Sequence, residues 1–388
     1  MNAAGTPAPV TAWLCGRLDA TLARHVERLA RLPDVVRVAV MPDVHQGRAV
    51  PNGVAVATRH TVYPELVGAD IGCGIAAVRF RGGLEPVRRD SLEAVLARLP
   101  AAVPTLKHTP QRAEQNRAAV EAIGPLSCRR LESLAAREGI YQLGTLGRGN
   151  HFLELARDEE GSAWAVVHTG SRALGQEITA HHLPARAGGR EPRGPASADR
   201  LTGLDLESLA GRDYFSDMQW ACRYAAANRA AILEAVAGLV ADELGLVWEP
   251  LSLLDSPHNS ATPAAHGGES VVVHRKSAND ATAGRRGIVA GSMAVGSRIV
   301  QGLGHAEALA SSAHGAGRLL SRTEAATRIG GRDLDARMRG IVYHQTWANR
   351  FRDEAPQAYR DLHEVMRAQR DLVRTERTLS PILNDKRP

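Results

Sequence analysis

Strand-forming and helix-forming segments follow one another along this chain of 388 residues without regular alternation, which limits the folds that it can adopt. Residues 35–80 hold short runs of β-branched residues separated by Gly and Pro, a pattern that predicts strands and loops. Residues 90–137 then have helical spacing, and Asp90 with Glu93 resembles a capping box at the start. A doubly wound parallel sheet needs strands that alternate with helices, so this order argues against one.

Other segments complete the mixed pattern. Residues 271–276, with the sequence VVVHRK, predict a strand. Three further segments have helical spacing, namely residues 17–31, 216–244 and 352–378. Residues 183–200 are poor in large apolar side chains and predict a flexible insertion. We therefore expect an α+β fold in which residues 1–388 form a single domain.

The balance of charge favours a partner that carries phosphate groups. The chain has 48 lysine and arginine residues against 42 aspartate and glutamate residues, and only 3 of the basic residues are lysine. The planar guanidinium of arginine suits bidentate contacts with phosphate oxygens. Aromatic residues make up only 4% of the chain, too few to suggest a stacking platform for single-stranded nucleic acid.

Several features favour a cytoplasmic protein with no membrane partner. Residues 1–20 lack the basic segment and apolar run of a signal peptide. The most apolar stretch, residues 225–247, is interrupted by Arg229 and by three acidic residues, so it should not span a bilayer. Four cysteines in a chain of this length do not predict a disulfide scaffold.

The first unusual motif is Asp70-Ile-Gly-Cys73-Gly. Its glycines let the backbone curl, so that a carboxylate and a thiolate can approach one metal ion. The alternative is a turn with a buried cysteine that behaves as a small apolar residue.

Three histidines, His151, His168 and His258, each lie next to a predicted strand and beside small or amide residues. Imidazole is the commonest metal ligand, although a single histidine is more often part of the core or the surface. With the Asp-x-x-Cys loop, the three form a mixed N/S/O donor set large enough for two metal ions. The sequence alone leaves open whether these side chains converge.

His314 opens the segment His-Gly-Ala-Gly-Arg, whose two glycines allow a close approach of the backbone to a ligand. Arg318 and Arg322 are four residues apart, and we predict that they share one face of a following helix. A helix N-terminus with two such cations predicts a phosphate site, and the alternative is a glycine-rich cap with a solvated basic face. A second loop of small residues, from Gly291 to Ser297, is also able to hold phosphate groups.

Two nucleotide-binding motifs are missing from the sequence, and their absence excludes two classes of enzyme. The chain has no GxxxxGK[ST] segment, which excludes a P-loop NTPase. It also has no lysine followed by x-[Asp/Asn]-Gly, the pattern that lysine-adenylating ligases and capping enzymes need. A covalent nucleotidyl intermediate would therefore form on another nucleophile, for which His314 is the candidate.

With these residues assembled, the chain resembles the RtcB-type RNA-splicing ligases. The shared motifs occur in the family order: MPDVHQG (41–47), GADIGCG (68–74), GTLGRGNHFLE (144–154), HTGSR (168–172), HN (258–259), VVHRK (272–276), GSM (291–293) and HGAGR (314–318). Two places depart from the family pattern: PNGVAVA (51–57) replaces a Pro-Ile-Gly-Gly run, and Ser277 stands where glycine is commoner. The resemblance implies an RtcB-like domain of a divergent bacterial branch, with central β-sheets surrounded by helices.

In that family, GTP and Mn²⁺ drive the joining of an RNA 3′-phosphate or 2′,3′-cyclic phosphate to a 5′-hydroxyl. The resemblance therefore implies a GTP-dependent RNA ligase with two Mn²⁺ ions and a guanylyl-histidine intermediate. Its partners would be GTP and RNA with broken ends, in RNA repair or tRNA splicing. The resemblance does not identify the RNA or any accessory protein.

The resemblance also implies roles for individual residues. His314 would attack the α-phosphate of GTP, and Asp43 would orient or deprotonate it. The implied metal ligands are Cys73 as a bridge between two ions, Asp70 and His151 at one ion, and His168 and His258 at the other. The implied guanylate contacts are Asn150, Glu154, Asn259, Ser292, Ser297, Gly315, Gly317 and Lys386. The expected contacts with RNA phosphates are Arg172, Arg318 and Arg322.

Two other classes of function are consistent with the same residues. A metal-dependent RNA phosphodiesterase or cyclic phosphatase would use the same ligands without guanylylation, and would need neither a nucleophilic His314 nor a guanine pocket. A catalytically inactive RNA-binding protein would not need the ligand set. Covalent labelling by GTP separates the ligase from both.

Overall fold

The fold is described from a computed structural model, which describes residues 6–47, 49–82, 87–183 and 201–387. The predicted insertion at residues 183–200 lies outside these residues except for Leu183. That one domain spans the whole chain stays a prediction.

The described residues form helices and strands in irregular order. The helices are α1 (Ala20–Ala30), α2 (Pro64–Val67), α3 (Arg89–Ala102), α4 (Pro110–Glu121), α5 (Arg129–Leu134), α6 (Ile140–Gln142), α7 (Arg172–His182), α8 (Leu209–Leu244), α9 (Arg322–Arg328), α10 (Gly331–Arg337) and α11 (Leu362–Ala368). The strands in the first half are β1 (Val10–Ala12), β2 (Val35–His45), β3 (Asn52–Thr58), β4 (Thr61–Val62), β5 (Gly74–Arg81), β6 (Phe152–Arg157) and β7 (Ala163–Thr169). The remaining strands are β8 (Leu204–Asp205), β9 (Val247–Trp248), β10 (Leu254–Pro257), β11 (Asn259–His266), β12 (Glu269–Lys276), β13 (Ala278–Asp280), β14 (Arg286–Ala290), β15 (Ser297–Gly302), β16 (Ser311–Ala313), β17 (Val342–Tyr343) and β18 (Val373–Asp385).

Two large sheets organise these strands. The five-stranded sheet has the order β1-β2-β3-β12-β11. The larger sheet has the order β10-β5-β7-β6-β18-β15-β14, with β9 beside β5 and β17 beside β18. The pairs β1–β2 and β17–β18 are parallel, and the other strand pairs within the described residues are antiparallel. Antiparallel sheets that pack against helices confirm the α+β class.

Helix α8 packs its apolar residues into two clusters of the core. The Ser208 hydroxyl accepts a hydrogen bond from the Gly211 amide at its start, and Gly245 ends it with φ of 66°. This helix is long and apolar enough to cross a membrane, but 56% of its apolar stretch of 18 residues is buried inside the protein. Its buried side chains contact the larger sheet and α3, as expected for a core helix.

Several predicted helix boundaries are wrong. The segment 90–137 is divided among α3, α4 and α5, and α3 begins after Arg88 with no side-chain cap, so Asp90 forms no capping box. Helix α8 begins at Leu209, before the predicted segment 216–244, and its N-cap is Ser208. The segment 352–378 contains two 3₁₀ turns, at Arg352–Glu354 and Pro356–Ala358, and the short α11, and then enters β18. The part of β18 in this segment, residues 373–378, pairs with β15, so tertiary pairing overrides its helical pattern.

The ends of four neighbouring strands meet at one edge of the larger sheet. Strand β5 begins at Gly74, and its register sets this residue opposite Thr169 at the end of β7 and opposite Pro257 at the end of β10. Strand β6 begins at the same edge, where Phe152 lies opposite His168. The residues just outside these strand ends are therefore brought together by sheet pairing.

Gly72, in the loop before β5, permits the close approach of this loop to α8. Its φ is +67°, and an added Cβ would lie 2.8 Å from the Cys222 Cα and 2.9 Å from the Ala225 Cβ. We predict that Gly72→Ala lowers the free energy of unfolding by about 3–4 kcal/mol, from left-handed strain and overpacking together. The measurement is urea denaturation of the metal-free protein.

Gly161→Ala is the matched control for this prediction. Gly161 also has positive φ, at +86°, but an added Cβ would meet nothing within 4 Å. It should therefore lose only the strain, about 1–2 kcal/mol. Equal losses for the two variants would show that the contact with α8 does not matter.

Candidate active site

Three of the predicted ligands converge at the shared sheet edge. The ligand atoms of Cys73, His168 and His258 all lie within 4.8 Å of one another, and the three side chains are buried. Cys73 Sγ lies 3.2 Å from His168 Nε2, which in turn lies 3.3 Å from His258 Nε2. A thiol and two imidazoles at these distances form a compact set of N and S donors.

A second group shares the same cysteine. The ligand atoms of Asp70, Cys73 and His151 also lie within 4.8 Å of one another. His151 Nε2 is 3.0 Å from Asp70 Oδ2 and 3.7 Å from Cys73 Sγ. Since Cys73 belongs to both groups, the structure brings all five predicted ligands into one cluster with the thiol at its centre.

The hydrogen bonds and charges of this cluster fit a divalent cation. The Asn150 carbonyl oxygen lies 3.1 Å from His168 Nδ1, and this bond leaves the lone pair of the ring on Nε2, towards the cluster. Burial lowers the pKa of His168 and His258 well below the usual value, so both rings are neutral and able to ligate. Burial also raises the pKa of the Cys73 thiol, which a bound cation would counteract by favouring the thiolate.

His314 lies beside this cluster and pairs with Asp43. Its ring centroid is 4.6 Å from that of His258, and its Nδ1 is 2.7 Å from Asp43 Oδ2. The backbone amides of His314 and Gly315 donate to the same carboxylate oxygen, each at 3.2 Å. A carboxylate that accepts a hydrogen bond from Nδ1–H keeps the proton on Nδ1 and the lone pair on Nε2, which is the arrangement that a nucleophilic imidazole needs.

His314 lines a cavity of about 780 Å³. The predicted residues that line it are Asn150, Glu154, His168, Ser292, Ser297, His314, Gly315, Gly317, Arg318, Arg322 and Lys386. Two predicted contacts, Asn259 and Arg172, do not line it. The Asn259 amide instead donates to the Asp70 carbonyl at 3.0 Å. The Arg172 guanidinium lies 3.1 Å from His151 Nδ1, behind a ligand.

The wall of the cavity has buried polar atoms that lack partners. Glu154 Oε1, Asn384 Oδ1 and Ser292 Oγ form no hydrogen bond with any residue that the structure describes. Glu154 Oε2 accepts only a long bond of 3.3 Å from the Asn384 amide. Burial raises the pKa of Glu154 to about 8. Unpaired buried polar atoms are costly, so this wall is suited to a ligand with several hydrogen-bonding groups.

The arginines after His314 do not share a helical face. Arg318 lies before α9, and its backbone pairs with that of Tyr359 in an isolated antiparallel β-bridge. Helix α9 begins only at Arg322, after a capping box of Ser321 with Glu324. The prediction of one helix carrying both arginines is therefore wrong, because Ser321 caps the helix one turn later.

The two arginines are joined instead by a carboxylate that the sequence analysis missed. Glu354 is 3% exposed and accepts from Arg318 Nη1 at 3.1 Å, from Arg322, and from Lys386 Nζ at 2.6 Å. Burial alone would raise the pKa of Glu354, but Lys386 and Arg322 lower it below the usual value. Nothing local in the sequence indicates this role, since all three partners are more than 30 residues away.

The chain is similar to known proteins of one family. The family model described as tRNA-splicing ligase RtcB matches residues 25–126 and 112–387. The chain is 32% identical to the RNA-splicing ligase RtcB of Escherichia coli strain K12, over 97% of both chains. It is also 32% identical to the RNA-splicing ligase RtcB of Mycobacterium tuberculosis, over 92% of this chain and 98% of that protein. The tRNA-splicing ligase RtcB of Thermococcus kodakarensis is 28% identical, over 90% of this chain and 86% of that protein.

Because Cys73 belongs to both groups of candidate ligands, we expect metal binding by the cluster to depend on its thiol. We predict that Cys73→Ser lowers Mn²⁺ affinity by more than about tenfold, because it removes a ligand common to both groups. Equilibrium dialysis with metal analysis measures this. Cys128→Ser is the control, since Cys128 contacts His181 at 3.6 Å, outside the cluster. Full Mn²⁺ binding by the Cys73 variant would disprove the bridging role.

Proposed function

The chain belongs to the RtcB family of RNA-splicing ligases and is an RNA ligase; we propose that it joins RNA 3′-phosphate or 2′,3′-cyclic phosphate ends to 5′-hydroxyl ends, using GTP. The observation that carries this proposal is the position of His314, which pairs with Asp43, is in ring contact with His258 of the ligand cluster and lines the cavity. We further propose that the enzyme acts in the cytoplasm, in RNA repair or tRNA splicing.

His314 is the proposed nucleophile. Its Nε2 would attack the α-phosphorus of GTP, so that a P–N bond forms and the bond to the pyrophosphate oxygen breaks. The Asp43 carboxylate accepts a hydrogen bond from Nδ1–H, with Oδ2 2.7 Å from Nδ1, and would stabilise the positive charge that develops on the ring. The backbone amides that also donate to Asp43 fix this carboxylate in place.

The guanylate would then pass to the RNA. An oxygen of the RNA 3′-phosphate attacks the guanylate phosphorus, and the P–N bond to His314 breaks. The 5′-hydroxyl next attacks the activated 3′-phosphorus, loses its proton and releases GMP. Arg318 and Arg322, which face the cavity, would contact the phosphates.

The five-residue cluster is proposed to hold two Mn²⁺ ions. Asp70 and His151 would ligate one, His168 and His258 the other, and Cys73 both. When bound, the ions would stabilise negative charge on phosphate oxygens and accept oxygen ligands in open coordination positions.

Guanine recognition is assigned to the wall with unpartnered atoms. The base has two neighbouring donors, N1–H and the exocyclic amine, and the Glu154 carboxylate is an acceptor. Its Oε1 has no partner among the described residues, so it is available for such a bond. Lys386 Nζ lines the same cavity and would donate to an acceptor on the nucleotide.

We predict that His314→Ala abolishes covalent labelling by α-labelled GTP and leaves Mn²⁺ content unchanged, since His314 is the nucleophile and not a ligand. The assay scores label that is acid-labile and base-stable, as for a phosphorus–nitrogen bond. His266→Ala, a substitution at the end of β11, should label as the wild type does. Undiminished label on the His314 variant would move the nucleophile elsewhere. A wild type that takes no label but opens cyclic phosphate would favour the metal-dependent phosphodiesterase.

The raised pKa of Glu154 predicts a pH dependence of GTP binding. Burial raises the pKa of Glu154 to about 8, and the carboxyl must be ionised to accept two hydrogen bonds. Below that pH, the free energy of GTP binding therefore includes the cost of removing a proton from Glu154. GTP affinity should rise about tenfold per pH unit from 6 towards 8 and then level off. Glu154→Gln should bind weakly and without this slope. Calorimetric titration across that pH range measures it, and an equal slope in both proteins would exclude Glu154.

A further inference from the structure

Arg229 is a buried cation in the middle of α8, and it bonds to three separate chain segments. Its side chain is 1% exposed. Nη1 donates to the Gly72 carbonyl at 2.7 Å and to the Thr169 carbonyl at 2.9 Å. Nε and Nη2 donate to the two carboxylate oxygens of Asp255, at 2.5 and 2.9 Å. One guanidinium thus ties a loop and two strands of the larger sheet to the helix.

The preceding residue, Asn228, ties a fourth segment to the same point. It is fully buried, and its Oδ1 accepts from the Gly144 amide at 2.7 Å and from the Thr145 amide at 3.1 Å. Its Nδ2 donates to the Thr145 carbonyl at 3.2 Å and to the Gly170 carbonyl at 3.3 Å. Both the oxygen and the nitrogen of this side-chain amide therefore form hydrogen bonds.

Every segment that these two side chains hold carries a residue of the candidate metal cluster. Gly72 lies between Asp70 and Cys73, and Thr169 follows His168. The other two ligands are nearby in the chain: Asp255 is three residues before His258, and Thr145 is six residues before His151. Neither Asn228 nor Arg229 is itself one of the five cluster residues.

The chemistry of this contact favours positioning over simple packing. A buried cation is costly, and an apolar side chain of similar volume would fill the space at no electrostatic cost. A guanidinium, however, presents several donors in a fixed plane and can hold two carbonyls and a carboxylate at set distances. The backbone approaches the guanidinium closely at Gly74, where an added Cβ would lie 3.0 Å from the Arg229 Cζ.

We propose that Asn228 and Arg229 are positioning residues that hold the four ligand-bearing segments at the separation that metal binding requires. This rests on the proposed function, in which the five cluster residues bind Mn²⁺. Their hydrogen bonds go to the backbone next to the ligands, and the charge of Arg229 also favours the thiolate form of Cys73.

The test compares three variants of the full chain: Arg229→Met, Asn228→Ala and Asp217→Asn. Asp217 is the matched control, because it is also a fully buried polar residue of α8 but bonds to Ser127 and His182, away from the cluster. Urea denaturation of each metal-free protein gives its stability. Equilibrium dialysis with Mn²⁺ and the absorption spectrum of bound Co²⁺ report the ligand geometry.

We expect the Arg229 and Asn228 variants to lose at least about tenfold in Mn²⁺ affinity while folded, and to change the Co²⁺ spectrum. Arg229→Lys should recover part of the affinity, because it keeps the charge and one donor direction. Asp217→Asn should lose stability but bind Mn²⁺ as the wild type does. If Arg229→Met does not fold, Asn228→Ala decides by the same measurements.

Wild-type Mn²⁺ affinity in folded Arg229 and Asn228 variants would overturn the proposal. So would an equal loss of affinity in Asp217→Asn, since that would mark a general effect of destabilising α8. If the Cys73→Ser variant binds Mn²⁺ as the wild type does, the proposed metal site is instead refuted, and with it the function on which this inference rests.

Discussion

The antiparallel pairing of β5 with β7 is the constraint on which the candidate site depends. It sets Gly74 opposite Thr169, so the loop that contains Cys73 meets the strand end that contains His168. Because side chains alternate between the faces of a sheet, a slip of one residue would turn His168 away from the thiol. The register of this pair therefore determines whether a metal cluster can exist at all, and the bonds of Arg229 to Gly72 and Thr169 join the same two segments.

The proposed nucleophile and the candidate metal ligands come from different sheets. Asp43 lies on β2 of the five-stranded sheet, whereas the ligands lie at one edge of the larger sheet. His314 follows β16, which pairs with β13 in a small separate sheet, and it contacts both sides through Asp43 and the ring of His258. The chemistry proposed for the site therefore requires the two large sheets to keep a fixed relative position.

The sequence predicts local chemistry better than it predicts long-range partners. The Asp-x-x-Cys loop and the three histidines are identifiable because small residues and strand ends surround them, and the structure brings all five together. Glu354 was not predictable, since its three cations come from distant parts of the chain. Arg229 interrupts an apolar stretch, and only the fold shows that its partners are the backbone of the ligand loops. Residues 373–378 of β18 have a helical pattern, and their pairing with β15 decides their structure.

The two departures from the family pattern belong to one local arrangement. Ser277 has φ of 54°, a conformation that favours glycine, and its hydroxyl donates to Asn52 Oδ1 at 3.2 Å. Asn52 is the residue of the PNGVAVA segment that stands where the family pattern has isoleucine, so each departure supplies the other's hydrogen-bond partner. The Ser277 amide also donates to Asn259, whose own amide donates to the Asp70 carbonyl. The backbone strain at Ser277 is therefore supported by hydrogen bonds that lead to the loop of Asp70 and Cys73.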